Sequence, residues 1–397
     1  MTRPRKRVLV LSTLWPNAAA PRFGTFVASS IEALAKQTHW EPVVLNPIGL
    51  PPLALGRYGD LRRALEAEPT RTEPVDLHRF RFSLIPRWGA RRNPAAIAKA
   101  ALPLARTLHE ETPFDLVDAQ FFYPDGPAAF RLAEALGLPL SIKARGADIH
   151  YWGQQPWALA AMREAANAAA GLLAVSEPLA DDMRALGLGK PGITIHHTGL
   201  DRDRFRPLSH DGIRRRLAEA LDLPLSGPAP LLVSVGALIE RKGQRFAIEA
   251  LAQLPDIRLL LLGSGPEEAK LRALAKALGV ADRVLFAGAV DHDLLPLVLS
   301  AADAMVLPSK SEGIANAWIE ALACGTPLVV TDVGGIREVL RPEAGVLIDR
   351  STDGVVEGVR EVLLRPTDRM AVAETVSRFD WSANARQLAD HYDQLTA

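Results

Sequence analysis

The sequence is almost free of cysteine: Cys324 is the sole thiol among 397 residues. No disulfide can form within the chain, and such a composition suits a reducing, cytoplasmic setting. No apolar run approaches the ~18 residues that a membrane-crossing helix requires. An excess of one charge is missing too, since 46 Lys and Arg face 46 Asp and Glu. That balance argues against a nucleic-acid binder. Short-period repeats and low-complexity tracts are absent, which excludes solenoids and disordered arrays.

What is present fits a globular enzyme. The apolar fraction is 48%, and a chain of this length divides most naturally into two domains of about 200 residues. Charge is spread unevenly along it. Residues 1–100 hold 16 Lys and Arg against 7 Asp and Glu, so the N-terminal region is suited to an anionic membrane surface or an anionic lipid-linked substrate. Trp88 with Arg87, Arg91 and Arg92 forms an aromatic–basic patch that reads either as a solvated loop or as a contact with a membrane surface. The first residues imitate a secretory signal, with Arg3, Arg5, Lys6 and Arg7 ahead of an apolar run. Ser12 and Thr13 break that run early, and it reads instead as a first buried strand.

Short apolar runs alternate with amphipathic stretches almost throughout, the pattern of parallel sheets covered by helices. In the first half, strands are expected at 8–11, 42–45, 116–119, 140–143 and 172–175, with helices at 26–36, 94–109 and 126–136. In the second half, strands are expected at 231–235, 258–262, 284–286, 304–307 and 328–330, each followed by a helix. Residues 201–230 hold a short basic helix and end in Pro-Leu-Ser-Gly-Pro-Ala-Pro, a linker signature. Two similar α/β lobes separated by a cleft follow, with ligands at the carboxyl ends of the strands.

The most informative segment is Ser311-Glu312-Gly313-Ile314-Ala315-Asn316-Ala317-Trp318-Ile319-Glu320, continuing to Cys324-Gly325-Thr326-Pro327. It reads as strand, glycine turn and helix, opening a helix N-terminus whose free N–H groups and dipole favour a diphosphate. Glu320, about two turns into that helix, is placed to accept both hydrogen bonds of a ribose diol. Glu312, at the mouth of the turn, can reach a sugar beyond the phosphates. The segment therefore points to a nucleotide-sugar site. Cys324, in the apolar end of the helix, reads as a packed thiol.

Other loops support that site. Gly236-Ala237-Leu238-Ile239-Glu240-Arg241-Lys242-Gly243 offers two adjacent cations to neutralise a diphosphate and a glycine for close approach. Leu262-Gly263-Ser264-Gly265-Pro266 resembles a dinucleotide fingerprint but lacks its third glycine, so it reads as a structural turn. Gly24 opens the first helix and is suited to close approach of a phosphate or sugar. The segments Phe122-Tyr123-Pro124-Asp125-Gly126 and Lys143-Ala144-Arg145-Gly146-Ala147-Asp148 follow strands, which directs Asp125, Arg145 and Asp148 toward the cleft. His196-His197, Asp201-Arg202-Asp203 and Asp291-His292-Asp293 lack a third ligand at metal spacing, and no metal site is expected from them.

Taken together, the Arg-Lys-Gly loop, Gly-Ser-Gly-Pro, Phe-Ala-Gly, Ser-Glu-Gly…Asn-Ala-Trp-Ile-Glu-Ala-Leu-Ala-Cys-Gly-Thr-Pro and Val-Gly-Gly-Ile-Arg-Glu resemble glycosyltransferase family 4. Tyr-Pro-Asp-Gly, Arg-Gly-Ala-Asp-Ile, Thr-Gly-Leu-Asp and Phe-Asp-Trp extend the resemblance over nearly the whole chain. The Tyr-Pro-Asp-Gly variant leans toward transferases of bacterial exopolysaccharide or teichuronic-acid type. The resemblance implies a GT-B fold: an acceptor-side Rossmann-like domain at 1–205, a nucleotide-sugar domain at 206–375, and a final helix at 376–397 returning to the first domain.

It implies, further, a retaining transfer without metal or other cofactor, from a UDP- or GDP-sugar to a glycan or lipid-linked acceptor in cell-surface polysaccharide biosynthesis at the inner membrane face. In this reading Lys242, helped by Arg241, holds the pyrophosphate and stabilises the departing nucleotide. Glu312 contacts the donor sugar and Glu320 the ribose. Gly313, Ile314, Ala315 and Asn316 present backbone amides, Gly236 lines the donor loop, and Gly24 lies under the donor from the opposite lobe. Asp125, Arg145 and Asp148 belong to the acceptor side. The leaving phosphate itself deprotonates the acceptor, so no side-chain nucleophile is expected. Departures from the family pattern are Ala237, where an arginine is common, and Gln120 and Arg145, where histidines are frequent. Ala237 and Gln120 motivate one alternative, a catalytically silent partner subunit. The other, a nucleotide-sugar 2-epimerase on the same scaffold, needs an acid/base pair beside the sugar that the sequence does not assign.

Overall fold

A computed structural model describes residues 5–21, 23–51, 56–66, 74–85, 89–189, 192–209, 211–225 and 227–397. Arg3, Arg87 and Trp88 of the segments discussed above lie outside them. The chain divides into two compact units, one of residues 1–199 with 381–397 and the other of residues 200–380. The final helix, Trp381–Leu395, thus belongs to the first unit, and the divisions fall at 199/200 and 380/381 rather than at 205/206 and 375/376.

The first unit carries seven parallel strands: β1 (Lys6–Leu11), β2 (Trp40–Leu50), β3 (Asp76–Ser83), β4 (Leu116–Ala119), β5 (Leu140–Ala144), β6 (Gly171–Ala174) and β7 (Ile193–Ile195). Their order across the sheet is β3-β2-β1-β4-β5-β6-β7. The central strands are covered on both faces, which is why β1 and β4 read as unbroken apolar runs. One face packs Leu9, Leu11, Val117 and Ala119 with the helices Asn93–Glu111, Asp125–Leu136 and Pro156–Ala168. The other packs Val8, Val10 and Leu116 with helix Thr25–Gln37 and with Leu388, Ala389 and Tyr392 of the final helix. Tyr392 meets Trp40 edge to face at 5.2 Å, and Asn384 Nδ2 donates to His197 O at 2.6 Å.

The second unit repeats the plan with β8 (Leu231–Val235), β9 (Arg258–Leu262), β10 (Val284–Gly288), β11 (Ala304–Leu307), β12 (Leu328–Thr331) and β13 (Gly345–Ile348). All pairings are parallel, in the order β10-β9-β8-β11-β12-β13. Trp318, Ile319 and Leu322 of helix Asn316–Ala323 pack with Met305 and Leu307 of β11 and with Leu328 and Val330 of β12. Trp318 is fully buried, so removing its side chain would cost about 3–5 kcal/mol. Helix and strand are thereby fixed to one another, and the turn between them has little freedom. The protein has two Rossmann-like parallel-sheet domains, and among its described residues no helix is long and apolar enough to cross a membrane.

Candidate active site

In the second sheet β8 and β11 are neighbours, while their sequence neighbours β9 and β12 lie on opposite sides. The chain leaves the carboxyl ends of β8 and β11 in diverging directions, and open α/β sheets take ligands at such switch points. The loops there are 236–243 and 308–315. They hold most of the residues expected to bind a donor.

Backbone contacts join the two loops. Lys310 N donates to Arg241 O at 2.7 Å. Arg350 ties both, donating from Nη2 to Glu240 O at 2.9 Å and from Nε to Pro308 O at 3.1 Å. Gly243 has φ +73°, and a Cβ there would stand 2.2 Å from Pro308 O. Its lack of a side chain therefore serves the approach of loop to loop, not of ligand to loop. Gly263 and Gly265 act likewise, because Cβ atoms on them would collide with Gly236 O and Leu238 O at 2.0 and 2.3 Å.

Glu312 is the centre of the polar cluster. Its Oε1 accepts from Lys242 Nζ at 2.5 Å and from Ser309 Oγ at 2.7 Å. Arg241 Nη1 lies 3.2 Å from Oε2 and also donates to Ser311 O. The Glu312 and Lys242 side chains are only 8% and 13% exposed, whereas Arg241 is 42% exposed. Two cations against one carboxylate leave one positive charge in excess, with its most accessible part on Arg241. The turn is braced from behind. Thr331 Oγ1 donates to Ser309 O at 2.6 Å, and Gly335 N donates to Gly313 O at 2.8 Å.

Among the described residues, the N–H groups of Gly313, Ile314, Ala315 and Asn316 donate to no protein acceptor. They surround the start of helix Asn316–Ala323 and add its partial positive charge to that of the cations. Because the helix begins at Asn316, Glu320 stands just beyond its first turn, nearer the mouth than the sequence reading put it. Its Oε1 accepts from His292 Nε2 at 3.1 Å. Cys324 is buried in the core, and desolvation pushes its thiol up to about 12, which leaves it chemically inert. Ala237, in the place of a common arginine, offers its carbonyl to Gln244 Nε2 at 3.0 Å.

The remaining predicted residues lie in the first unit, where they are used internally. Asp148 accepts the backbone N–H groups of Phe122, Arg145, Gly146 and Ile149 at 2.8 to 3.1 Å. Asp125 accepts Thr13 N at 2.8 Å. Both carboxylates are fully buried. Burial pushes Asp125 up to about 7 and raises Asp148 as well. Arg145 donates from Nε to Gln120 O at 2.8 Å and from Nη2 to Gln120 Oε1, so the two residues that replace frequent histidines hold each other. Gly24 has φ +72°, and a Cβ there would lie 2.4 Å from Leu14 C. Its own loop already requires glycine.

Sequence reasoning missed Ser309, His292 and the fully buried Lys143, whose Nζ lies 2.7 Å from His196 Nδ1. Desolvation, and then Arg145 nearby, hold Lys143 well below its ordinary range. On the other side of the imidazole, His196 Nε2 lies 3.0 Å from Asn384 O, so the ring bridges Lys143 and the final helix. Among the described residues no group of three or more His, Cys, Asp and Glu is arranged to hold a metal ion.

Comparison with known proteins gives the family and the fold. Residues 24–204 match the family model described as Glycosyltransferase Family 4, and residues 221–380 match Glycosyl transferases group 1. A D-inositol 3-phosphate glycosyltransferase of Catenulispora acidiphila is 31% identical over 72% of each chain. TuaC of Bacillus subtilis, named for teichuronic acid biosynthesis, is 26% identical over 98% of this chain and 99% of its own. Among solved structures, sucrose-phosphate synthase of Thermosynechococcus elongatus superposes with a TM-score of 0.76 at 22% identity, over 98% of this chain and 99% of its own. HepE of Anabaena, solved with UDP, gives 0.71 at 18% identity over 98% of this chain and 100% of its own. The chain belongs to glycosyltransferase family 4 and is a glycosyltransferase of the GT-B fold.

Proposed function

We propose that the protein moves a sugar, with retention and without a metal, from a UDP- or GDP-sugar to a glycan or lipid-linked acceptor of a cell-surface polysaccharide. The observation that carries this reading is the Lys242–Glu312–Arg241 cluster beside four backbone N–H groups that have no acceptor among the described residues. A diphosphate brings two negative charges to a site that offers two cations and the positive end of a helix. As the nucleotide leaves, charge grows on its phosphate, where Lys242 and Arg241 stabilise it in place of a metal. Glu312 is then released to meet hydroxyls of the donor sugar, and Glu320 accepts the ribose diol. HepE was solved with UDP and, separately, with UDP-glucose, which supports a nucleotide-sugar donor. Asp125, Arg145 and Asp148 shape the acceptor side by fixing its loops.

Contact with an anionic membrane surface fits the same reading. Arg92, Lys99 and Arg106 are exposed at seven-residue intervals on and just before helix Asn93–Glu111, a spacing that puts them on one face. Juxtamembrane cations of this kind contribute about 1 kcal/mol each. Their replacement by Glu should abolish sedimentation with phosphatidylglycerol vesicles; unchanged sedimentation would refute the contact.

The transfer itself is tested by incubating the protein with UDP- and GDP-sugars, with and without EDTA. EDTA-insensitive release of UDP or GDP together with glycosylated acceptor is the expected result. A donor epimerised without release, or bound without turnover, would contradict it.

A further inference from the structure

His292 follows β10, at the start of a single 3-10 turn, His292–Leu294. Sequence spacing gave it no role. The turn is held at two points besides the histidine itself. Asp291 caps it by accepting Asp293 N at 3.0 Å, and Arg204 Nη2 reaches Asp293 Oδ1 at 2.6 Å. The imidazole packs against the Phe205 ring with centroids 5.3 Å apart and directs Nε2 at Glu320 Oε1. Glu320 is 11% exposed at its side chain and His292 is 47% exposed, so the pair lies with its imidazole outermost. Among the described residues, Glu320 Oε2 has no hydrogen-bond partner.

A carboxylate on a helix can rotate about its last torsion, whereas a ribose diol needs both oxygens at fixed positions. A donor bonded to one oxygen stops that rotation and leaves the other free. Resting on the assignment of Glu320 to the ribose, we propose that His292 is a positioning residue that orients the Glu320 carboxylate and so sets the preference for ribo- over 2′-deoxyribonucleotides. The His292 N–H takes one lone pair of Oε1. The remaining lone pair of Oε1 and those of Oε2 stay available to the two ribose hydroxyls. A site built to pair a hydroxyl rejects the analogue that lacks it, because the buried acceptor is then left unpaired. That rejection is sharp only when the acceptor is held still.

The test is calorimetric titration of the whole protein with UDP and GDP and with their 2′-deoxy forms, using the wild type, His292→Ala, His292→Gln and Glu320→Gln. The expected result for His292→Ala is a loss of affinity of about 5- to 20-fold for the ribonucleotide, little change for the deoxy form, and a collapsed ratio between them. His292→Gln, which keeps an N–H donor, restores part of the ratio. Glu320→Gln reduces it whatever stands at 292. If Glu320→Gln lowers the ratio but His292→Ala leaves it unchanged, or tightens binding by removing an obstruction, the role of His292 is refuted. If Glu320→Gln itself leaves the ratio intact, the ribose assignment fails first. Thermal denaturation of each variant separates these outcomes from a folding defect.

Discussion

The two sheets share a topology, yet their switch points are filled differently. In the second unit, the loops after β8 and β11 present Lys242, Arg241 and Glu312 with four N–H groups that have no acceptor among the described residues. In the first, Thr13 of the loop after β1 donates its N–H to Asp125, which follows β4, and Gln120, also after β4, accepts from Arg145; Asp125 Oδ1 alone of these is buried without a partner among the described residues. Buried, internally paired polar groups build architecture, while partly exposed and underused donors await a ligand. The comparison separates residues that chemistry alone would have grouped together. Arg145 and Arg241 are both cations in βα loops, but the first holds a neighbour and the second faces solvent.

That contrast can be broken by mutation. Lys242→Ala should give the largest effect, lowering transfer about 100- to 1,000-fold while leaving urea denaturation nearly unchanged; a stability loss with intact turnover would invert the assignment. Asp148→Ala should do the opposite. It strands four backbone N–H groups, so about 3 kcal/mol of unfolding free energy is expected to be lost. A variant as stable as the wild type but inactive would move Asp148 into the catalytic machinery.

A smaller effect is expected at Asp125. Burial raises its carboxyl from 3.8 to about 7, so the folded protein holds this proton more tightly than the unfolded chain does. The associated stability is full below pH 4 and is lost as pH rises through 7. Asp125→Asn keeps an acceptor for Thr13 N without the charge, and should gain stability on the wild type as pH rises from 4 to 8. Parallel pH–stability curves for the two proteins would exclude this role. The smallest effect sharpens the comparison. Glu312 competes with a diphosphate for both cations, so Glu312→Gln should tighten UDP or GDP binding by about 1 kcal/mol while slowing transfer. Weaker binding would mean that the carboxylate organises the cations instead of occupying them.

Much of this was legible in the sequence because buried parallel strands are continuous apolar runs. The observed bounds Leu116–Ala119, Leu231–Val235, Arg258–Leu262 and Ala304–Leu307 match the expected ones. The strands not anticipated, Asp76–Ser83, Ile193–Ile195 and Gly345–Ile348, all lie at sheet edges, where partial exposure removes the pattern. In the site, Lys242, Glu312 and Glu320 stood out because the turn and helix chemistry around them is local. His292 and Lys143 did not, since each acts through a partner 28 or 53 positions away in the chain. The purpose of Gly243 was also misjudged, because the atom it admits is Pro308 O of a distant loop.

The central claim is that the cluster around Glu312 is an anion site in waiting. Soaking crystals with UDP and with GDP tests it most directly. The account predicts a diphosphate bonded to Lys242 and Arg241 and to amides within 313–316, with the ribose on Glu320 and the Lys242–Glu312 contact lengthened. A nucleotide bound elsewhere, with that contact intact, would contradict it.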